Sequence, residues 1–294
     1  MQPKFSLGAA LALLICAPAH AEPDWSAVGK ALGKSGAMAS GHIYRVGLPR
    51  TDLKVRLDGV ELKPALALGS WLAFQSMGDH DAMVMGDLVL TQPEVNPVMK
   101  KLVESGLEIT ALHNHLLRSE PATMYMHVSG HGDAVKLAAA LHAGLQESGT
   151  PLGETAPAPA AAIDLDTSAI DQALGYKGRV NGGVYQVGVL RPETIRDGGM
   201  EVPEAMGSAT AINFQPTGNG KAAITGDFVL IASEVNPVLR ALRENGIEVT
   251  AVHSHMLEDT PRLFFMHFWA NDDALKLAKG LKAALDKTAS GKKS

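Results

Sequence analysis

Apolar side chains are spaced along the chain in a way that predicts the same order of helices and strands twice. A short opening helix precedes several strands, and a second helix with an apolar stripe through Val95, Val98 and Leu102 follows them. In the first half the opening helix covers residues 25–32 and the clearest strand covers residues 82–90. The corresponding segments of the second half are residues 168–174 and 222–230.

The second helix of each copy carries residues that favour a helix start and a helix end. Asn96 is a good N-cap, Pro97 suits the first helical position, and Gly106 is typical of a helix end. The second copy repeats them as Asn236, Pro237 and Gly246. We therefore predict that this helix begins directly after Asn96 and, in the second copy, directly after Asn236.

Each copy continues with two strands that form a hairpin. They cover residues 107–117 and 123–129 in the first copy, and residues 247–257 and 263–270 in the second. A final helix follows, with Asp133 or Asp273 as its N-cap. Helices mixed with an antiparallel hairpin predict an α+β fold, in which each module is a mostly antiparallel sheet with helices packed on it.

The two copies also repeat one another residue by residue. Glu94-Val95-Asn96-Pro97-Val98 recurs 140 positions later as Glu234-Val235-Asn236-Pro237-Val238. Between the copies lies a stretch rich in proline and alanine with no apolar period, which is typical of a linker. We predict a first module over residues 22–147, a linker over residues 148–166 and a second module over residues 167–294, preceded by a signal peptide over residues 1–21.

The predicted signal peptide combines a charge, an apolar stretch and a cleavage pattern. Lys4 supplies the charge, residues 5–17 are apolar, and Ala19-His20-Ala21 has small residues at the spacing that signal peptidases prefer. Cleavage after Ala21 would place the protein in the periplasm or outside the cell. It would also remove Cys16, the only cysteine, which excludes disulfides and thiolate metal ligands from the mature protein.

The composition of the chain limits the classes of partner that it is expected to bind. The chain has 46% hydrophobic and 19% charged residues and a formal net charge of −5. A mildly acidic chain lacks the positive charge that nucleic-acid binding requires, so we predict no nucleic-acid partner. No segment after the leader is long and apolar enough to predict a transmembrane helix.

Six of the eleven histidines occupy matched positions in the two copies. In each copy the pattern is His-x-His, eleven residues, and His. The six are His113, His115, His127, His253, His255 and His267.

Strand geometry predicts that these histidines share one face in each module. His113 and His115 point the same way, about 7 Å apart, because side chains alternate along a strand. A hairpin loop with an odd number of residues places His115 opposite His127, and the same loop places His255 opposite His267. An even loop would turn the third histidine to the other face. We favour the odd loop.

Three converging neutral imidazoles favour a divalent transition metal, zinc or copper, with an open coordination position. The alternative is that these histidines only form structural hydrogen bonds. Nearby groups have other expected roles: Asp87 and Asp227 follow glycines and indicate turns, and Glu120 is a candidate base near His115. Four methionines have the opposite strand parity and are expected in the core: Met124, Met126, Met256 and Met266.

One stretch resembles a known family. Glu94-Val95-Asn96-Pro97-Val98, residues 110–117 with His113-Asn114-His115, Met126-His127, and the upstream Gly47-Leu48-Pro49-Arg50-x-Asp52 are similar to the LppY/LpqO family of bacterial envelope proteins. The second copy departs at Leu190-Arg191-Pro192-Glu193 and at Ser254, which replaces Asn114. The resemblance implies export and this two-module architecture, and it implies no reaction.

Three functions follow from these patterns. The first is an exported protein that binds a divalent transition metal through the two histidine trios, non-catalytic or of unknown reaction. The second is a metal-dependent hydrolase that acts on an envelope compound. The third is a metal-free module that binds a cell-wall glycan, a peptide or a protein partner.

Overall fold

The structure is a computed structural model, and it describes residues 21–153 and 162–291. The predicted leader up to residue 20, with Cys16, and the middle of the predicted linker lie outside the described residues. Within the described part of the chain, no helix has the length and apolar character needed to cross a membrane.

The first module consists of four helices and two groups of strands. The helices are α1 (Trp25–Leu32), α2 (Pro64–Ala67), α3 (Gln92–Glu104) and α4 (Ala134–Leu145). The strands are β1 (Ala37–Ala39), β2 (Ile43–Pro49), β3 (Arg56–Leu57), β4 (Val60–Glu61), β5 (Gly69–Gly78), β6 (Asp81–Thr91), β7 (Glu108–His113) and β8 (Thr123–Asp133). The predicted opening helix is confirmed at its predicted bounds.

The second module repeats this order. Its helices are α5 (Thr167–Leu174), α6 (Ala232–Glu244) and α7 (Ala274–Leu285). Its strands are β9 (Arg179–Asn181), β10 (Val184–Val189), β11 (Arg196–Asp197), β12 (Met200–Glu201), β13 (Thr210–Gly218), β14 (Lys221–Ile231), β15 (Glu248–His253), β16 (Asp259–Thr260) and β17 (Leu263–Asp273). Short 3-10 turns cover Ser40–His42, Glu204–Met206 and Ala289–Gly291.

Each module is built on a six-stranded antiparallel sheet. The strand order is β1-β2-β5-β6-β8-β7 in the first module and β9-β10-β13-β14-β17-β15 in the second. The long hairpin strands β6 and β14 are therefore central, and the strands that carry His113 and His253 lie at an edge. The predicted α+β class with two tandem, mostly antiparallel modules is confirmed.

The predicted start of the second helix is wrong. Helix α3 begins at Gln92, and the carboxylate of Glu94 accepts the backbone N–H of Thr91 at 2.7 Å, which satisfies a donor at the helix N-terminus. Asn96 and Pro97 therefore lie inside the first turns of the helix. The same shift occurs in α6, where Glu234 accepts the N–H of Ile231. The predicted N-caps of the final helices, Asp133 and Asp273, are confirmed.

The two sheets face each other, and the helices cover their outer faces. Along β6 the side chains alternate: Leu88 and Leu90 pack in the core beneath the helices, whereas Met85 and Val89 pack in cores shared with the second module. One shared core joins Met85 to Phe265, and another joins Val89 to Trp269. The layer order is therefore helices, sheet, sheet, helices, with an interior face of each sheet turned toward the other module.

A buried arginine fixes the loop after β2 in each module. Arg50 is 1% exposed, and its guanidinium donates to Asp52, to Glu94 and to the backbone oxygen of Val89. The second copy reproduces these contacts with Arg191, Glu193, Glu234 and the oxygen of Val229. The sequence difference between Pro49-Arg50-x-Asp52 and Leu190-Arg191-Pro192-Glu193 therefore leaves the buried ion pair intact.

Candidate metal centre

The six matched histidines meet in one place, between the two sheets. His127 lies on the interior face of β8, and His113 lies on the same face of the neighbouring strand β7. His267 and His253 take the equivalent positions on β17 and β15. The two trios therefore form a single cluster that spans the module interface.

Ring distances show that the cluster has approximate two-fold symmetry. The ring centroids of His113 and His253, which are equivalent residues, lie 3.6 Å apart. The rings of His115 and His267 lie 3.7 Å apart. The rings of His127 and His255 also lie 3.7 Å apart. The His115–His267 contact and the His127–His255 contact are symmetry counterparts of each other. The approximate two-fold axis therefore passes between His113 and His253.

The predicted hairpin register is wrong, although the predicted common face is right for His113 and His127. Ala111, and not His115, lies opposite His127, and a bulge between Ile109 and Ala111 shifts the pairing. His113 lies opposite Tyr125, and β7 ends there. His115 is therefore beyond the strand, in the loop.

Aromatic rings and a cross-module hydrogen bond position the loop histidines. The ring of His115 stacks on Tyr125 with 3.4 Å between centroids, and the ring of His255 stacks on Phe265 at 3.5 Å. The hydroxyl of Thr250 donates to the backbone oxygen of His115 at 2.5 Å. His255 is likewise off its predicted register, because Ala251 lies opposite His267.

Two aspartates complete the cluster. One carboxylate oxygen of Asp87 lies 3.8 Å from Nε2 of His115, and the other lies 3.8 Å from Nε2 of His127. Asp227 stands at 3.8 Å from Nε2 of His255 and from Nδ1 of His267. We call these eight residues the histidine–aspartate centre.

The predicted turns at Asp87 and Asp227 are wrong, because both residues lie in the middle of long strands, directly opposite His127 and His267. The preceding glycine allows close strand approach and does not mark a turn. A Cβ at Gly226 would lie 2.0 Å from the backbone oxygen of Ala211. Asp87 is two residues from Met85 and from Val89, so all three side chains lie on the same, buried face of the strand. This spacing is the sequence feature that could have placed Asp87 in the interior.

Eight of the sixteen side-chain nitrogen and oxygen atoms of the centre are buried without a hydrogen-bond partner. Among the described residues, nine buried side-chain nitrogen or oxygen atoms are unpaired, and eight of them belong to the centre. They are Asp87 Oδ1, His113 Nδ1 and Nε2, His115 Nε2, His127 Nε2, Asp227 Oδ1, His253 Nδ1 and His267 Nε2. Each unpaired buried group costs about 1–3 kcal/mol, so a ligand that pairs them would be strongly favoured.

Two hydrogen bonds orient rings of the second trio. Nδ1 of His267 lies 2.8 Å from the backbone oxygen of Gly226, which fits a ring that donates from Nδ1 and leaves Nε2 free. Nε2 of His253 and Nε2 of His255 lie 2.9 Å apart. The second trio is thus partly satisfied, and the first trio is not.

Burial shifts the ionisable groups of the centre toward their uncharged forms. It raises the pKa of Asp87 to about 8, an effect that the charge of Arg45 partly offsets. The pKa of Asp227 is also raised, by burial and then by Asp87. Burial lowers the pKa of His113 to about 4 and that of His267 to about 3. Burial and then neighbouring imidazoles lower the pKa values of His115, His127, His253 and His255.

The centre could hold a metal ion. The ligand atoms of His113, His115 and His127 lie within 4.8 Å of one another. The same holds for the group of His113, His253, His255 and His267. Neutral imidazoles with carboxylates are a nitrogen and oxygen donor set that suits zinc or copper(II).

The space beside the centre is small. A cavity of about 10 Å³ lies against His127 and His255, with Trp71, Met85 and Met256 among its other lining residues. This volume is close to the minimum that holds one water molecule. An organic substrate does not fit there.

The other sequence candidates lie elsewhere. Glu120 is exposed, and its backbone pairs with that of Arg56. Met126 and Met266 are buried in the two cores beneath the helices, Met124 packs against the first of these cores, and Met256 is buried in a shared core between the modules. The expected core role of the methionines is confirmed.

Fold and site together define a duplicated α+β protein that encloses a buried histidine–aspartate centre between its two modules. The family model described as Domain of Unknown Function (DUF1259) matches residues 26–147 and again residues 168–287. The chain therefore belongs to this family and carries two tandem copies of its domain.

Other comparisons add little. No curated protein matches the chain at a significant level. Among solved structures, the crystal structure of a trimeric bacterial microcompartment shell protein PduB is similar over 85% of this chain and 90% of that chain, with 12% sequence identity and a TM-score of 0.20. A TM-score this low establishes no common fold.

Proposed function

We propose that the protein binds a divalent transition metal, zinc or copper, in the histidine–aspartate centre, and that holding the ion is its role. The observation that carries this proposal is the set of eight unpaired buried atoms, all of which belong to residues with metal-ligating side chains. A bound cation would satisfy several of these atoms at once.

Charge supports a cation as the occupant. Without one, the centre brings six imidazoles and two carboxyl groups into a buried site where each charged form is disfavoured. A proton would add like charges among the imidazoles. A divalent ion instead accepts lone pairs from neutral imidazoles and neutralises a carboxylate, so it fits both kinds of group.

Burial favours storage or transport of the ion over hydrolysis. Side chains of the centre such as His127 and His267 are 7% and 2% exposed, and the neighbouring cavity holds about one water molecule. A hydrolase would need room for its substrate beside the ion. Glu120, the sequence candidate for a catalytic base, is exposed, and its backbone pairs with that of Arg56.

The place of action is proposed from the sequence. The leader over residues 1–21 favours export to the periplasm or beyond, with cleavage after Ala21. The resemblance to the LppY/LpqO family of envelope proteins supports the same location. An envelope compound would then be a further partner, and nucleic acid would not.

Metal analysis of the purified full chain tests the proposal. The protein is produced without a His-tag, and zinc and copper are measured by mass spectrometry in the wild type and in a variant with His113, His115 and His127 changed to alanine. The control is His131→Ala, an exposed histidine on the same strand as His127. We expect metal in the wild type and the control and less in the triple variant. Equal and negligible metal in all three would end the proposal.

A cleft between the modules supports a second candidate, the metal-free binding module. Its volume is about 420 Å³, which is in the range of ligand sites, and its lining is mostly polar, with Asp58, Glu61, Gln215 and Asn271. Such a lining suits a hydroxyl-rich ligand such as a glycan. Retention of the protein on peptidoglycan in the presence of a chelator would favour this function, and loss of all retention would exclude it.

A further inference from the structure

The histidine–aspartate centre has more unpaired donor atoms than one ion can bind. A four-coordinate zinc ion takes four ligands, whereas eight buried atoms of the centre lack partners. Five of these atoms belong to the first module and three to the second. A single ion would leave about half of them unsatisfied, whichever module it chose.

The histidines form two ligand groups that share His113, one with the other histidines of the first module and one with those of the second. In the first module, His115 and His127 flank the carboxylate of Asp87 at 3.8 Å on each side, and His113 groups with the two histidines within 4.8 Å. Two ligands of one zinc ion, each about 2.0–2.1 Å from it, stand roughly 3–4 Å apart. The 3.8 Å spacing between the Asp87 carboxylate and the rings of His115 and His127 is therefore that of ligands around a shared ion.

The second module repeats this arrangement. Asp227 lies 3.8 Å from Nε2 of His255 and 3.8 Å from Nδ1 of His267, and His253, His255 and His267 form a ligand group together with His113. Because Nδ1 of His267 is held by the oxygen of Gly226, its free Nε2 is the expected ligand atom. The approximate two-fold axis between His113 and His253 relates the two sets.

We propose that the centre holds two divalent ions, one on the ligand set of each module. The first set is His113, His115, His127 and Asp87. The second set is His253, His255, His267 and Asp227. This inference rests on the proposed function, and it adds both the second ion and the two carboxylate ligands. Each carboxylate offsets part of the charge of its ion, which allows two cations to lie close together in a buried site.

Zinc stoichiometry of the full chain tests the inference. The protein is stripped with a chelator, incubated with excess zinc, separated from free zinc by gel filtration and analysed for bound metal. We expect two zinc ions per chain in the wild type, one in Asp87→Asn and one in Asp227→Asn. The control Asp133→Asn keeps an N-cap residue on the first module, remote from the centre, and should keep two ions.

The results separate this inference from the proposed function. One ion in the wild type overturns the two-ion centre and leaves the proposed function standing, whereas no ion overturns both. Two ions in both Asp→Asn variants show that the carboxylates are not ligands and overturn the assigned sets. A cobalt(II) titration of the wild type provides a second test that does not require any variant to fold. The visible absorption of four-coordinate cobalt should rise until two equivalents have been added. A break at one equivalent overturns the inference.

Discussion

Replacement of His113 by leucine should change stability in opposite directions with and without metal. Both ring nitrogens of His113 are buried without a hydrogen-bond partner, and its ring lies 3.6 Å from that of His253. Each unpaired group costs about 1–3 kcal/mol, so leucine, of similar size, should remove a cost of roughly 2–6 kcal/mol from the metal-free protein. We expect a net gain of about 2 kcal/mol after losses in packing.

Bound zinc should reverse the sign of this change in stability. At free zinc about 1,000-fold above the dissociation constant, one bound ion stabilises the folded state by about 4.1 kcal/mol. His113→Leu removes a ligand and with it most of this stabilisation. The variant should therefore be less stable than the wild type in zinc by about 2 kcal/mol, which is the difference between the lost 4.1 and the gained 2 kcal/mol.

The assay is urea unfolding of the wild type and the variant, each with a chelator and with saturating zinc. His131→Leu, which changes an exposed histidine of β8, is the control and should alter stability by less than about 0.5 kcal/mol in either condition. An equal loss of stability for His113→Leu in chelator and in zinc would refute the reasoning, because it would mean that His113 serves the fold and not an ion.

Three further predictions concern the fold around the centre. Arg50→Met and Arg191→Met each remove a buried guanidinium from the largely buried carboxylate of Glu94 or Glu234, and each should lower the free energy of unfolding by about 3–5 kcal/mol in urea titrations; a change under about 1 kcal/mol would contradict the buried ion pair. The pKa of Glu94 is lowered to about 2, because hydrogen bonds from Arg50 and two backbone N–H groups outweigh burial, which raises it. Its contribution to stability is therefore complete above pH 4.5 and lost as the pH falls toward 2, and a plot of Tm against pH should fall less steeply over this range for Glu94→Gln. Gly226→Ala should destabilise the protein far more than Gly188→Ala, since a Cβ at Gly188 meets nothing within 4 Å; similar Tm values for the two variants would show that the strands can separate at Gly226.

The faces of the histidines on strands were predictable because they depend on local alternation. Alternation along the paired strands correctly placed His113 and His127 on one face, whereas His115 lies beyond the end of β7, where strand alternation no longer applies. The register was not predictable. The bulge between Ile109 and Ala111 shifts the pairing, and no residue type at these positions indicates a bulge.

The helix start shows how two local patterns compete. Both Gln92-Pro93 and Asn96-Pro97 resemble helix starts, and each places a proline where a missing N–H is tolerated. The earlier start prevails because Glu94 can then bind both the N–H of Thr91 and the buried guanidinium of Arg50. Arg50 is 44 positions away in sequence, so local propensity cannot reveal this contact.

The prediction of a turn at Asp87 was wrong for a related reason. Glycine followed by aspartate is common in turns, but the apolar residues on both sides of the pair already predicted a strand. In a strand buried on both faces, Asp87 has the parity of Met85 and Val89 and must point away from the helices. A charged residue at such a position requires a partner, and this conflict was the available indication of a site.

The module interface explains why the duplication and the centre belong together. The interior face of one sheet alone would expose a trio of histidines and an aspartate to water, with ordinary solvation and little need for an ion. The second copy covers that face, stacks His253, His255 and His267 on rings of the first trio, and thereby removes the water that would have paired these atoms. Each copy thus leaves buried polar atoms of the other copy without water, so that these atoms need a ligand. Loss of the histidines from either copy should therefore weaken metal binding in both, because the remaining trio would lose the rings that keep it dry.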